Sequence, residues 1–334
     1  MSAVRRIQPS YDPSQGAASA RGILAALRAS GVAAAAQGSP LEVREPEASP
    51  RIETADPVEG QAVEVRAVTG PPVVGISAFL DGIQRSTVRA HVGTVPVVHG
   101  AVAAAVRVRD GRRLRTWEEP QRSHACFLPA ALLDPAWVAG LASRCEVVDT
   151  LADLEAGAEP PRHPSDLAAR ALTAVQRRRE RAELALATVW TERGSGTLLI
   201  DGGISGSEAV ARSEAVVGVV KSHRTLYAPG ESLPLVLGLR EGERTTAVVL
   251  SSPRRFPVAT WYLRLRTSAS RGPMFGLVRV EVSAQDPISL SARADLVSRW
   301  LLAERSPVSL PDARWDVMVY GIRECEEYLS AILP

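Results

Sequence analysis

Two Asp-Gly pairs, each following a short apolar run, are the first candidates for chemistry in this 334-residue chain. Asp81 follows residues 73–80, and Asp201 follows residues 197–200. The glycine after each aspartate lets the backbone turn sharply, so a ligand could approach the carboxylate closely. Asp-Gly is also a common hairpin turn, and for either pair alone the turn is the simpler interpretation. Two such strand ends, separated by a long helix that carries glutamates, favour a site.

The helix between the two pairs is predicted over residues 165–192, because apolar residues recur there at helical spacing. Glu180 and Glu183 lie three residues apart and therefore share one face of this helix. Glu180 is interpreted as part of a solvated face that is rich in arginine. Glu183 precedes Leu186 and Trp190 on the border of the buried stripe, and both a solvated position and a position in the site remain open for it.

Three carboxylates meeting at a sheet edge would be hard oxygen ligands, which suit Mg²⁺ or Mn²⁺ better than zinc. Two such ions about 3.5–4 Å apart are the usual device for cutting phosphodiester bonds. Lys221, the only lysine of the chain, follows the apolar run 216–220 and could neutralise a phosphate as a point charge. This arrangement of carboxylates with a lysine is the one expected in a ribonuclease-H-like nuclease.

The elements that must position these residues are mostly strands. Further strands are predicted over residues 88–98, 101–108, 246–250, 258–265 and 275–282, a short helix near Glu208, and two closing helices over 290–303 and 322–333. Asp110-Gly111 predicts a hairpin turn whose flanking arginines either grip a DNA backbone or form a solvated ribbon. The order of elements indicates a mixed α/β sheet flanked by helices, with the candidate residues at the carboxyl ends of its strands.

Residues 1–65 differ in amino-acid composition from residues 66–334. They begin with an alanine-rich segment, residues 17–36, that could form one helix interrupted by Gly31, and continue into an acidic stretch with several prolines. Such a segment buries little surface alone and can order on a partner. The sequence therefore predicts a flexible N-terminal arm, a candidate docking segment, followed by one domain over residues 66–334.

The amino-acid composition excludes several classes of protein. Hydrophobic residues make up 46% of the chain and charged residues 23%, which excludes a fibrous or wholly disordered protein. The three cysteines have no metal-binding spacing and fit a reducing compartment. No apolar run is long enough to cross a bilayer, so a cytoplasmic protein without a membrane partner is expected. The net charge of +2 predicts only modest intrinsic affinity for DNA.

The ordered segments AFLDGIQ, RRRERAELALA, TLLIDGGISG and AVVGVVKSH resemble the NurA nuclease family from about residue 73 to the C-terminus. The resemblance implies a ribonuclease-H-like fold, a homodimer and manganese-dependent cutting of DNA, with two Mn²⁺ or Mg²⁺ ions. It also implies a partnership with HerA, a hexameric DNA-translocating ATPase, in the processing of DNA ends, in DNA repair or in antiviral defence.

Carried over by position, the resemblance assigns catalytic roles to Asp81, Glu183, Asp201 and Lys221, the three carboxylates being metal ligands. The family's last motif ends in an alanine-histidine pair, and Glu326 stands where the histidine is expected. Glu326 is therefore the candidate fourth metal ligand, and the departure puts full activity in doubt.

Two other classes compete with a nuclease. A degenerate member of the same family could serve as an adaptor or regulator of the ATPase that binds DNA without cutting it. The glycine-rich segment DGGISGSE could instead cradle a phosphate in an actin-like nucleotide-binding fold, although one glycine-rich turn is a weak signal.

Overall fold

The computed structural model describes residues 19–35, 38–41, 51–53, 55–155, 157–222, 225–228, 230–253, 255–268, 272–305 and 319–333. The helices of these residues are α1 (Ala20–Ala29), α2 (Pro135–Ala142), α3 (Pro164–Arg193), α4 (Glu208–Arg212), α5 (Leu233–Leu237), α6 (Leu290–Glu304) and α7 (Tyr320–Ile332). The strands up to α3 are β1 (Ser39–Pro40), β2 (Arg51–Glu53), β3 (Asp56–Pro57), β4 (Val65–Ala67), β5 (Ile76–Val92), β6 (Val95–Asp110), β7 (Arg113–Leu128) and β8 (Val147–Asp149). The later strands are β9 (Thr197–Asp201), β10 (Val216–Val220), β11 (Thr225–Tyr227), β12 (Glu243–Thr245), β13 (Val248–Ser252), β14 (Arg255–Arg264) and β15 (Leu277–Ser283).

A large mixed sheet forms the centre of the fold. Its strands follow the order β3-β13-β14-β15-β10-β9-β5-β6-β7-β8, with β1, β4 and β12 paired at its margins. Strands β5, β6 and β7 form an antiparallel meander. Strand β9 runs parallel to both β5 and β10, and β15 and β14 continue the sheet in antiparallel fashion. The predicted mixed α/β sheet flanked by helices is confirmed.

Helices cover the two faces of this sheet. On one face, α3 and α4 pack on the central strands, with a buried cluster that includes Leu80, Leu198, Ile200, Leu186, Trp190 and Val210. On the other face, α6 and α7 pack on the same strands and on β14 and β15, with a cluster that includes Phe79, Leu199, Trp261, Val297, Leu301 and Ile322. Successive residues of β5 and β9 therefore alternate between two buried layers, as the two-residue period of a strand requires.

Helix α3 confirms the helix that was predicted over residues 165–192. Pro164 and Asp166 lie in its first turn, where the negative charge of Asp166 interacts favourably with the positive end of the helix dipole. The side chain of His163 accepts a hydrogen bond from the Ser165 N–H. The buried positions of its apolar stripe are Leu167, Ala171, Val175, Leu186, Ala187 and Trp190. None of the helices among the described residues is both long and apolar enough to cross a membrane.

Two predictions about the first strands were wrong. Asp81-Gly82 lies inside β5 and is not a turn, because β6 provides hydrogen-bonding partners for β5 far beyond this point. The strand predicted over residues 88–98 is interrupted by a hairpin turn between Val92 and Val95, where Gly93 adopts a φ of +59°. The hairpin predicted at Asp110-Gly111 joins β6 to β7 and is confirmed.

Parts of the segment predicted as an arm are packed against the body. Helix α1 is shorter than the predicted helix, and its Ile23 and Leu27 are fully buried in a cluster with residues of β6, β7 and α2. Residues 1–18, 36–37, 42–50 and 54 of the predicted arm lie outside the described residues. The sequence analysis did not consider the apolar face of α1. Burial of this face stabilises the helix on the body, which explains why this part of the predicted arm is packed.

A buried ion-pair network fixes another part of this segment. The Arg244 guanidinium is 1% exposed and donates hydrogen bonds to both carboxylate oxygens of Glu59, at 2.7 and 2.8 Å, and to Asp295 at 2.6 Å. Burial alone would raise the pKa of Glu59, but hydrogen bonds from Arg244, from Ser291 and from the Ala247 N–H lower that pKa to about 2. The network joins residue 59 to β12 and α6.

We expect Glu59→Gln to destabilise the protein by about 3 kcal/mol at pH 7, because it leaves the buried Arg244 without its main counter-charge. Since the pKa of Glu59 is lower in the folded state, its contribution is present above about pH 4.5 and is lost as the pH falls towards 2. Urea unfolding at pH 7 and pH 3 checks this. The difference in the free energy of unfolding between the natural and variant chains should shrink at pH 3. Asp295→Asn should cost less than Glu59→Gln, because the side chain of Asp295 is 24% exposed. Equal differences at both pH values would contradict the assignment.

Candidate active site

The two aspartates lie side by side on neighbouring parallel strands. The last residues that pair between β5 and β9 are Leu80 and Ile200, so Asp81 and Asp201 come next on strands about 4.8 Å apart. Each aspartate is two residues beyond a member of the same buried cluster, Phe79 or Leu199. Strand alternation therefore directs both carboxylates to the face covered by α6 and α7. Although Asp81 lies within β5, it still marks the end of the parallel pairing.

Asp81 is a buried carboxyl in a negatively charged setting. It is 8% exposed, and its Oδ1 accepts a hydrogen bond of 2.7 Å from the Gly82 N–H. Burial raises the pKa of Asp81 well above its ordinary value, and the charges of Asp201 and Glu183 raise it further. The Gly82 hydrogen bond and the charge of Lys221 act in the opposite direction without cancelling the rise. The ionised form of Asp81 is therefore disfavoured by its surroundings.

Glu183 approaches the end of this strand pair from α3, on the opposite face of the sheet. A Cβ atom on Gly82 would lie 2.2 Å from Glu183 Oε1, so the absence of a side chain at position 82 makes room for this carboxylate. Arg179, one turn earlier, donates a hydrogen bond of 2.5 Å to Glu183 Oε1. Burial raises the pKa of Glu183 to about 7 in spite of Arg179, with further contributions from the charges of Asp201 and Glu180. The Glu183 side chain is only 12% exposed, so the solvated position is wrong, and its role in the site stays a prediction.

Asp201 is partly exposed and paired with a cation. Lys221 Nζ lies 2.9 Å from Asp201 Oδ2, and β9 and β10 are paired in parallel so that Val219 faces Asp201. The loop after Asp201 crosses β10 closely. A Cβ atom on Gly218 would lie 2.6 Å from the Gly202 carbonyl oxygen, which accounts for glycine in the VVGVVK segment. The aspartate and the lysine are thus brought together as the sequence predicted.

Two charged residues that the sequence analysis missed hold this loop. Glu281 is 1% exposed, and its Oε2 accepts a hydrogen bond of 2.8 Å from the Ile204 N–H. Arg279 pairs with Glu281 Oε1 at 2.9 Å and stacks over the ring of Tyr227. The signal was present in the segment LVRVEVS, where charged side chains alternate with apolar ones on a strand that is buried on both faces.

Two N–H groups of this loop are directed at the protein. The Gly202 N–H donates to the Val219 carbonyl oxygen at 2.9 Å, and the Ile204 N–H is bound by Glu281. A phosphate cradle needs several such N–H groups directed at the ligand. The geometry therefore gives little support to the actin-like alternative.

An open cleft of about 460 Å³ borders Glu183 and Asp201. Its wall is basic, because four arginines, Arg177, Arg179, Arg181 and Arg255, line it. Glu180 also lines the cleft, is exposed, and accepts a hydrogen bond from Gln176 at 3.0 Å, in keeping with the solvated position predicted for it. Oxygen ligands at the base of an arginine-lined cleft suit a substrate that carries phosphate groups.

Helix α7 presents a cysteine to Asp81. Cys325 is fully buried and its thiol donates to the Ala105 carbonyl oxygen at 3.4 Å, on the residue of β6 that pairs with Asp81. Burial raises the pKa of the Cys325 thiol, and the charge of Asp81 adds to the rise. Glu326 is the next residue of α7 and is partly buried. Its assignment as a fourth metal ligand stays a prediction.

The donor set fits a hard divalent cation in its chemistry. Three carboxylates lie near the end of the β5–β9 pair, and the pKa values of Asp81 and Glu183 are raised, first by burial and then by neighbouring like charges. As arranged, no group of three or more His, Cys, Asp or Glu side chains among the described residues is placed to hold an ion. Lys221 and Arg179 instead neutralise Asp201 and Glu183. Binding of a cation would therefore require these two ion pairs to open.

Comparison with known proteins adds no assignment: no protein-family model matches this chain, and no curated protein matches it.

We expect Mn²⁺ to stabilise the folded chain, because an ion that binds only the folded state at 100 times its dissociation constant contributes about 2.7 kcal/mol. That contribution corresponds to a rise of about 5 °C in the thermal midpoint. Asp81→Asn should remove the rise, while leaving the metal-free protein at least as stable, since a buried like charge is lost.

Glu180→Gln is the matched control, because it removes an exposed carboxylate from the same cleft and should keep the response to Mn²⁺. A rise in the thermal midpoint of Asp81→Asn equal to that of the natural chain would show that Mn²⁺ binds elsewhere.

Proposed function

We propose that the chain is a metal-dependent DNA nuclease of the NurA type that cuts phosphodiester bonds during the processing of DNA ends. The observation that carries this proposal is the grouping of Asp81, Asp201 and Glu183 around the end of one parallel strand pair, where burial and neighbouring charges raise the pKa values of Asp81 and Glu183. Carboxyl groups whose pKa values are raised by burial and like charge are candidates for a functional site, and carboxylate oxygens are the ligands that suit a hard divalent ion.

The strand order supports a ribonuclease-H-like core. An antiparallel meander, β5 to β7, is followed by the long helix α3 and then by two parallel strands, β9 and β10, in the spatial order β7-β6-β5-β9-β10. This is the arrangement that the resemblance to NurA nucleases leads us to expect. Strands β13 to β15 extend the sheet beyond this core.

Asp81, Glu183 and Asp201, with Glu326 as the fourth candidate, would hold one or two Mn²⁺ or Mg²⁺ ions. When bound, such ions supply an activated water and stabilise the leaving oxygen. Lys221, released from Asp201, would neutralise charge on the scissile phosphate. The arginines of the cleft would orient the strand, and Glu281 would keep the loop after Asp201 in position.

The partners remain those of the NurA resemblance: DNA, a HerA-like hexameric ATPase, and a second copy of the chain, in the cytoplasm. A net charge of +2 provides no large attractive field for DNA. A motor that feeds DNA into the cleft would make strong intrinsic binding unnecessary, so the small net charge is compatible with this proposal.

A second candidate is an adaptor that binds DNA or regulates the ATPase without cutting. Two observations favour it. Asp201 and Glu183 are already neutralised by Lys221 and Arg179, and the helix of the divergent last motif places a buried cysteine against Asp81. In such a protein the internal cations would replace the metal permanently.

We expect Asp201→Asn to lower Mn²⁺-dependent cutting of linear or single-stranded DNA by more than about 100-fold, because it removes a charge from a site built around cations. The exchange is nearly isosteric, so the circular dichroism spectrum and the oligomeric state should not change. Glu327→Gln, an exposed carboxylate on α7, is the control, and Glu326→Gln beside it tests the fourth ligand. Undiminished cutting by folded Asp201→Asn would exclude this metal site, and DNA binding without cutting by the natural chain would favour the adaptor.

We further expect the N-terminal residues to assist docking on the ATPase ring. Deletion of residues 1–18 leaves α1 in place and should weaken complex formation, while the Mn²⁺-dependent activity of the isolated protein stays roughly unchanged. A deletion that extends to residue 65 is not a fair test, because it removes the buried Ile23, Leu27 and Glu59. Sedimentation of the complex measures the effect, and equal affinity of the shortened chain for the ring would refute a docking role.

A further inference from the structure

The arginines of α3 differ in what they bind. Arg178 holds both carboxylate oxygens of Glu146, at 2.8 and 2.7 Å, and Arg177 pairs with Asp153 at 2.7 Å. Arg179 is bound to Glu183. Arg181 is exposed, and no ion pair joins it to another described residue. The interpretation of this arginine run as a solvated, ion-paired face therefore accounts for three of the four and leaves Arg181 to be explained.

A second cavity, of about 510 Å³, lies on the other side of α3, against β7 and β8. Arg122 of β7 lines it, is exposed, and has no ion pair within the described ranges. Arg177 and Arg181 line both this cavity and the cleft at Asp201. The two spaces therefore meet across the exposed side of α3.

Arg255 lies on the opposite wall of the cleft. It is exposed, and its Nη1 is 3.4 Å from the Ser205 hydroxyl in the loop that follows Asp201. Arg255, Arg181 and Arg122 thus form a series of three guanidinium groups without a carboxylate partner among the described residues. We name this series the arginine track. It runs from the loop after Asp201, past Glu183, and into the second cavity.

We propose that the arginine track binds successive phosphates of one DNA strand whose scissile bond lies at the carboxylates, an inference that rests on the proposed function. A guanidinium group matches two oxygens of a phosphate, and such contacts hold a strand in position. The two cavities, of about 510 and 460 Å³, have the size of small-molecule sites, so each would take about one or two nucleotides. We therefore expect the strand to be unpaired where it crosses α3.

The track binds the backbone and not the bases. The only aromatic residue that lines either space is Phe127, which is 1% exposed, so no ring is available among the described lining residues for bases to stack on. Base stacking on aromatic side chains is the usual source of additional affinity in single-strand binding proteins. Binding should therefore be salt-dependent and tolerant of sequence.

Fluorescence anisotropy with a 15-nucleotide labelled oligothymidylate tests the track in EDTA at low salt, where no cutting can occur. We expect Arg181→Ala and Arg122→Ala each to weaken binding about three- to tenfold, and to lower the slope of log affinity against log salt by about 0.7 for each phosphate that the variant no longer binds. Arg28→Ala is the matched control, because Arg28 is exposed on α1 and lines neither of the two cavities. A duplex of the same length should bind more weakly, and a single-stranded probe of mixed sequence should bind as well as oligothymidylate.

Three results would overturn the track: unchanged binding by Arg181→Ala and Arg122→Ala, an equal loss with Arg28→Ala, or no binding of the probe by the natural chain. Each would be separable from failure of the nuclease proposal, which is decided by cutting in Mn²⁺. Cutting that survives together with unchanged binding in both track variants rejects the track alone. Track-dependent binding by a chain that never cuts supports the track and points to the adaptor.

Discussion

The parallel pairing of β5 with β9 is the constraint on which the rest of the site depends. It places Asp81 and Asp201 level with each other, and strand alternation then directs both carboxylates to the same face. The other features of the site depend on this placement. Gly82 leaves space for Glu183, Gly218 lets the loop after Asp201 cross β10, and Glu281 fixes that loop from the far side. A change of one residue in the strand register would separate the two carboxylates.

The concentration of negative charge is unfavourable, and the chain offsets it with its own cations. Lys221 and Arg179 each hold one of the carboxylates, and Asp81 is left with a raised pKa. These two ion pairs offset part of the repulsion among the carboxylates. They also mean that any ion must compete with side chains that are already in place, so affinity for the metal depends on where Lys221 and Arg179 can move.

The sequence was informative where local pattern and burial agree. Helix α3, strands β9 and β10, the hairpin at Asp110 and the association of Lys221 with Asp201 follow from spacing, because apolar periodicity and turn residues are local signals. The continuation of β5 through Asp81-Gly82 could not be anticipated, since pairing with β6 outweighs the turn preference of the dipeptide. Glu281 and Arg279 were missed for a related reason: a buried charged pair is stable only beside a loop whose position is set by distant strands.

The Glu59–Arg244 ion pair has a consequence for how the chain reaches its structure. Its two residues are 185 positions apart, and Arg244 also holds Asp295 of α6. During synthesis, Glu59 leaves the ribosome long before its partner. Closing so long a loop costs chain entropy, and non-local contacts of this kind lower folding rates. The margin of the sheet at β4 and β12 therefore completes its packing late, after translation has passed α6, and until then this strand edge stays open to chaperones and to aggregation.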